Sequence, residues 1–259
     1  MDGKGKELGL RRIGLEGGRY ALLALDQRPP LYQVVRSACP RLSPREVWDE
    51  VGRIKGLIAA RLARVASGVL VDPRHGYPSV LPHLGRGTGL LLTLEDHRFR
   101  EAEGGWRLSH LIPGWGPGAA VRAGADALKL LISYRAEAPA EVCAHQQALV
   151  RRVGLACRRL GRPFVLEILP YPLPGEPDPP LGALERAVAA FAQPEFGVDL
   201  YKLPYPGGRF QAYRSLPAPW VLLSGRLGFA DFMRALEASL EGGAVGFLAG
   251  RAFWLEAVR

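Results

Sequence analysis

Asparagine is absent from this chain, methionine occurs twice, and lysine occurs only five times against 29 arginines. That bias, together with 22 prolines, resembles the usage of a thermophile or of a GC-rich genome. Cysteine is scarce as well. Cys39, Cys143 and Cys157 form no CxxC pair, and an odd count argues against a disulfide framework. The five histidines, His75, His83, His97, His110 and His145, show no HxH or HExxH spacing. The pattern of a dedicated zinc site is therefore missing, and no metal or other cofactor is expected. No run reaches the roughly 18 uninterrupted apolar residues of a membrane span. The opening MDGKGKELGLRR lacks the apolar centre of a secretory leader. A cytoplasmic protein without a membrane partner is expected.

What is present is a basic chain of 259 residues with a formal charge of +9 and 48% hydrophobic residues. It is long enough for a sizeable core, and one domain over residues 1–259 is expected. The positive balance favours anionic partners such as phosphorylated metabolites. The densest basic stretch, RRVGLACRRLGR at 151–162, has helical spacing with apolar residues between its arginines. It reads as a solvated helix face, and Cys143 and Cys157, fourteen apart on the same helix, can both turn to the core. With no aromatic platform interleaved for stacking bases, nucleic acid is not expected.

Eight short apolar runs recur along the chain: 20–26, 68–73, 89–96, 127–134, 163–170, 200–206, 219–225 and 243–251. Nearly continuous apolar runs mark strands buried on both faces of a parallel sheet. The segments between them have helical periodicity, as in Val47, Val51, Ile54, Ile58, Leu62 and Val65. Ser43, Pro44 and Glu46 supply an N-cap, a first helical residue and a capping box for a helix over 45–66. Further helices fit 137–160, 181–192 and 228–241. The first run ends in Asp26-Gln27-Arg28-Pro29 without a GxGxxG turn, which disfavours a doubly wound open sheet. The fold class is α/β, a (β/α)8 TIM barrel with a short eighth helix. A partner subunit, hence a homo-oligomer, or the N-terminal lead is expected to cover the gap beside that helix.

In such a barrel the active site lies at the C-terminal strand ends. Those ends carry Asp26, Asp72, Glu95 with Asp96, Lys129, Glu167, Lys202, Ser224-Gly225 and Gly250-Arg251. Asp72 and Asp96 read most simply as caps or ion-pair partners. The lysines are harder to dismiss, because two of only five lie inside strands with apolar neighbours. Arginine cannot release its proton in a protein, whereas a lysine amine can be shifted toward neutrality and attack a carbonyl. Two lysines among carboxylates thus suggest an amine nucleophile, a second ammonium beside it and acids to move protons. A lysine paired structurally with Glu167 or Asp26 is the plainer alternative. The glycine-rich turns SGRLGFADF (224–232) and AGRAFW (249–254) follow the seventh and eighth runs, where these barrels often bind phosphate.

The chain resembles the class I aldolases of the tagatose-1,6-bisphosphate aldolase family, DeoC/LacD-like aldolases that are similar also to sulfofructose-phosphate aldolases. The stretches that carry the resemblance are LALDQR, LVDPRHGYP, GADALKLLISY, VLEILPY, PEFGVDLYK, PWVLLSG and GAVGFLAGRAFW, in family order. The resemblance implies a barrel, no metal and a Schiff base on Lys202, with Asp26, Lys129 and Glu167 as its catalytic neighbours. It also implies phosphate binding at Ser224, Gly225, Gly250 and Arg251, and a substrate-binding turn at Gln27 and Arg28. The implied reaction is reversible cleavage of a ketose phosphate to dihydroxyacetone phosphate and an aldehyde. Lys202-Leu203-Pro204-Tyr205 lacks an acidic residue that the family carries, and Arg226 stands where a small or apolar residue is expected. The loop after the sixth strand is the place to expect changed aldehyde-side specificity. A phosphosugar sensor that keeps the pocket without turnover is the alternative function.

Overall fold

A computed structural model describes residues 2–258, with the whole of Met1 and Arg259 and the side chain of Asp2 outside the description. All eight expected runs form strands: β1 (Tyr20–Leu25), β2 (Gly68–Val71), β3 (Gly89–Thr93), β4 (Ala127–Ser133), β5 (Phe164–Leu169), β6 (Leu200–Leu203), β7 (Trp220–Leu222) and β8 (Gly246–Ala249). Each pairs in parallel with the next, and β8 pairs with β1 to close the barrel. Closure removes both sheet edges and explains why every residue of β2, β3, β6 and β7 is buried.

Two cores follow from the alternation of side chains across each strand. Leu22, Ala24, Leu70, Leu91, Ala127, Val165, Leu200, Val221 and Leu248 point inward and fill the barrel together with Ile13 and Tyr20. The intervening residues, such as Val69, Val71, Leu90, Leu128, Leu166 and Tyr201, pack outward against the helices. The helices are α1 (Asp2–Ile13), α2 (Pro29–Ala38), α3 (Pro44–Leu62), α4 (Gly76–Val80), α5 (Pro117–Arg122), α6 (Ala140–Arg159), α7 (Ala183–Ala190), α8 (Gln211–Arg214), α9 (Phe229–Glu241) and α10 (Arg251–Val258). The capping box of α3 is formed: the Ser43 hydroxyl accepts the Glu46 N–H, and the Glu46 carboxylate accepts the Ser43 N–H at 2.8 Å. On α6 Cys157 is buried in the core and Cys143 packs against it, while Arg151, Arg152, Arg158 and Arg159 are exposed.

The N-terminal lead does not cover α10. It forms α1 and lies beneath the barrel, with Ile13 fully buried in the inner core. A side chain at Gly9 would sit 2.5 Å from the Asp126 carbonyl, and one at Gly89 would meet the Arg12 carbonyl at the same distance. Glycine therefore lets α1 approach the N-terminal ends of β3, β4 and β5 closely. Three glycines in a twelve-residue helix also hid it from periodicity, since each weakens an isolated helix by about 1 kcal/mol. Beside α10 a groove lined by Ile54, Leu57, Leu62 and Phe253 stays open. Above the barrel, between β3 and α5, a hairpin of Arg100–Ala102 and Trp106–Leu108 adds a wall that the sequence did not suggest. Its Arg107 guanidinium stacks over Phe99 at 4.3 Å and Tyr171 at 4.5 Å.

Replacing Ile13 with alanine is expected to cost about 2–5 kcal/mol, because Ile13 is fully buried in the inner core and its truncation leaves a cavity there. Urea denaturation of the variant against wild type measures it; a loss below 1 kcal/mol would show that α1 is only loosely attached.

Candidate active site

The alternation that fills the barrel also builds the site. One step of two residues above the apolar inner layer, Ala24 leads to Asp26, Ala127 to Lys129, Val165 to Glu167 and Leu200 to Lys202, while Leu91 leads through Thr93 to Glu95. Parallel register places Lys202 directly beside Glu167, and Thr93 beside Lys129. A cavity of about 260 Å³ at the C-terminal mouth is lined by all five of these charged residues, with Gln27, Arg28, His97, Phe99, Ser109 and Arg251 among its other walls. The size suits a small metabolite.

Lys129 is the hub. Its ammonium donates to Asp26 Oδ2 at 2.9 Å and to Glu95 Oε1 at 2.6 Å, and it lies 2.9 Å from Glu167 Oε2. Lys202 Nζ has one carboxylate, Glu167 Oε2, at 2.8 Å. The second oxygen of Glu95 accepts the Leu131 N–H at 3.0 Å, which fixes that carboxylate to β4. Burial pushes the Asp26 carboxyl upward, but Lys129, Lys202 and Arg28 outweigh it and hold the group well below the usual carboxylate range. Glu167 is lowered in the same way by Lys129 and Lys202. Burial pushes Lys129 down, yet Asp26, Glu167 and Glu95 together raise it well above an ordinary lysine. Lys129 is thereby a fixed cation, whereas Lys202 has a single carboxylate partner, which it shares with Lys129.

At the other side of the cavity Arg28 donates from Nη2 to the Glu95 carbonyl at 3.1 Å. Its Nε, and the Oε1 of Gln27, are buried without a partner among the described residues. Orphaned donors and acceptors in a cavity wall are costly unless a ligand completes them. Ser224 Oγ accepts the Gly250 N–H at 3.3 Å, joining the turns after β7 and β8. A side chain at Gly250 would stand 2.2 Å from the Ala24 carbonyl, so the turn must pass as glycine. Of the four residues expected to bind phosphate, Arg251 lines the cavity, while Ser224, Gly225 and Gly250 shape the turns behind it.

Every residue singled out as catalytic from the sequence meets at this mouth. Glu95 was noted at its strand end but not placed in the set; the spacing Leu91–Thr93–Glu95 carried the signal. Asp72 does not line the cavity. It accepts the N–H groups of Arg74, His75 and Gly76 and pairs with the fully buried Lys55 of α3, so it caps a turn as its plainer reading expected. Lys55 also qualifies the argument from lysine scarcity, since a third buried lysine serves an ion pair outside the barrel. Of the loop after β6, where changed aldehyde-side specificity is expected, no residue of 204–210 lines the cavity. Tyr213 of α8 donates to the Pro204 carbonyl at 3.0 Å, and Tyr205 packs edge-on to Phe210, contacts that brace the loop.

Fold and site thus define a TIM barrel whose mouth holds two buried amines among three carboxylates. A family model described as DeoC/LacD family aldolase matches residues 21–256, and the chain belongs to that family. It is 32% identical over 213 residues to a tagatose 1,6-diphosphate aldolase of Listeria monocytogenes (serotype 4a, strain HCC23), a match covering 78% of this chain. The chain spans 60% of the length of that relative. Tagatose 1,6-diphosphate aldolase 1 of Streptococcus mutans is 28% identical over 287 residues, covering 96% of this chain and 85% of the relative. Among solved structures, a Schiff-base-forming fructose-1,6-bisphosphate aldolase superposes with a TM-score of 0.65 at 20% identity, covering 95% of this chain and 92% of its own. An archaeal fructose 1,6-bisphosphate aldolase gives 0.65 at 18% identity, covering 95% and 91%. At these identities the likeness shows the fold.

Lys129→Met is expected to cost about 3–5 kcal/mol at neutral pH, because it leaves buried carboxylates uncompensated. In the wild type the depressed Asp26 and Glu167 give stability that is present above about pH 4 and lost as pH falls through their folded values. In the variant burial dominates and raises the carboxyls, so stability should instead fall as pH rises from about 4 to 7. Urea midpoints across that range check the reversed slope.

Proposed function

We propose that this chain is a class I aldolase that reversibly cleaves a ketose phosphate to dihydroxyacetone phosphate and an aldehyde. The observation that carries the reading is the asymmetry between the amines: Lys129 is held by three carboxylates, and Lys202 by one. The tagatose 1,6-diphosphate aldolases to which the chain is similar support a bisphosphate or a related ketose phosphate as substrate. The whole described barrel would act as one catalytic domain, with no metal in the mechanism.

Lys202 passes a proton to Glu167, and the neutral amine attacks the ketone carbon. The carbinolamine loses water to form an iminium ion, with Glu167 returning the proton to the departing oxygen. The iminium draws electrons from the C3–C4 bond as a carboxylate removes the C4 hydroxyl proton. Glu167 stands nearest to the amine and is assigned this task; Asp26, beside Lys129, orients the amines and assists the transfer. The aldehyde leaves, the enamine takes a proton at C3, and water releases dihydroxyacetone phosphate. Lys129 supplies a permanent positive charge that stabilises developing oxyanions. Arg251 and the turns of Ser224, Gly225 and Gly250 take the substrate phosphate, and Gln27 and Arg28 meet its hydroxyls through their unpaired atoms.

Borohydride reduction in the presence of dihydroxyacetone phosphate should attach a reduced adduct to Lys202, read by peptide mapping. An adduct on Lys129 would reverse the roles, and none at all would refute the mechanism. Glu167→Gln should lower kcat by about 10²–10⁴-fold with KM changed only a few-fold, since the loss falls on proton transfer. Steady-state cleavage kinetics decide this.

A further inference from the structure

One side of the catalytic cavity has no task in the mechanism above. Lys202 stands on β6, and the turns that take the substrate phosphate follow β7 and β8, to one side of it around the barrel. A ketose held between them carries its carbons beyond C4 the other way, across β5 and β4. The wall there includes Leu169 of β5, Leu131 and Ser133 of β4, and Phe99 and Ser109 at the two ends of the hairpin. Two hydroxyls thus stand among three apolar side chains. Both serines are almost fully buried, Ser109 at 5% exposure and Ser133 at 8%. Ser109 is held from several directions. The Ser133 N–H donates to its Oγ at 3.1 Å, and His145 Nε2 on α6 lies 2.9 Å from its carbonyl. The Asp96 N–H donates to the His110 carbonyl and the Ile112 N–H to the Leu94 carbonyl, which ties the residues after Ser109 to the end of β3. Gln146 on α6 completes the frame by donating to the carbonyls of Arg107 and Ser133, each at 2.8 Å. Because Ser109 Oγ accepts a backbone N–H, its own proton is left to donate into the cavity. Ser133 Oγ takes no part in the frame. A few fixed polar groups on an apolar wall are what orient a small ligand.

We propose that Ser109 and Ser133 read hydroxyl groups on the aldehyde portion of the substrate. Ser109 donates to a hydroxyl oxygen beyond C4, and Ser133 pairs with the substrate beside it. In the direction of synthesis the acceptor is therefore an α-hydroxy aldehyde, because an aliphatic one would leave both buried hydroxyls unpaired against its chain. Aldehyde-side specificity resides in the hairpin and the end of β4, and not in the loop after β6. The assignment rests on the aldolase reading and adds to it which part of the wall meets which part of the substrate.

The test is the condensation of dihydroxyacetone phosphate with racemic glyceraldehyde or with propanal, followed as kcat/KM for the aldehyde in wild type, Ser109→Ala and Ser133→Ala. Propanal has the three carbons of glyceraldehyde without its hydroxyls. The ratio of the two kcat/KM values, glyceraldehyde over propanal, should fall about tenfold in each variant, chiefly through a higher KM for glyceraldehyde. Comparing ratios cancels the different reactivity of the two aldehydes and any general loss of active enzyme. Ser133→Ala is the decisive variant, since its hydroxyl holds no part of the frame and its loss leaves the fold intact. An unchanged ratio in that variant, whether from no loss or from equal losses on both aldehydes, would overturn the proposal. Borohydride trapping of dihydroxyacetone phosphate by wild type separates the two failures: an adduct on Lys202 with an unchanged ratio sinks the hydroxyl reading alone, whereas no adduct sinks the aldolase reading and this one with it.

Discussion

One ammonium organises the mouth of this barrel. Lys129 gathers carboxylates from the ends of three other strand segments, so its charge settles the ionisation of Asp26 and Glu167 and anchors Glu95 across to β4. Three buried carboxylates and two amines in so small a volume are tolerable only because each charge has an opposite within hydrogen-bond reach. Such a network contributes little to stability over a well-packed apolar layer of the same volume. What it supplies is difference: two identical functional groups, on β4 and β6 with β5 between them, with unlike numbers of partners.

The layer beneath makes that arrangement rigid. Leu22, Ala24, Leu70, Leu91, Ala127, Val165, Leu200, Val221 and Leu248 interlock inside the barrel, and the charged residues stand directly on them. Small changes of strand register would turn the whole charged layer outward, because side-chain direction alternates with every residue. The site is therefore specified by the same pairing that specifies the fold. Closely spaced polar atoms on rigid strands also hold their geometry better than loops do.

Much of this was legible in the sequence. Eight apolar runs gave the barrel, and lysine scarcity together with strand position singled out Lys129 and Lys202. The capping box at Ser43 and Glu46 was readable because it depends on local spacing alone. Other features depend on contacts that local spacing cannot express. The helix α1 carries glycines that periodicity penalises, and only the close approach of the barrel floor gives them a reason. Glu95 lies beyond the last residue of β3, where a strand end and a loop look alike. Lys55 has the composition signal of a reactive lysine, and only its pairing with Asp72 shows otherwise. The loop after β6 was singled out by its departure from the family, and none of residues 204–210 lines the cavity.

The position of α1 also bears on how the chain is made. Its docking surface is assembled from the starts of β3, β4 and β5 and from the turn near Gly161, all of which lie far downstream. A glycine-rich segment of this length has little helical stability alone. This segment, synthesised before its docking surface, therefore has nothing to fold against until more than half of the barrel exists. Its order arrives late, as the stopper that seals a vessel after the vessel has been built.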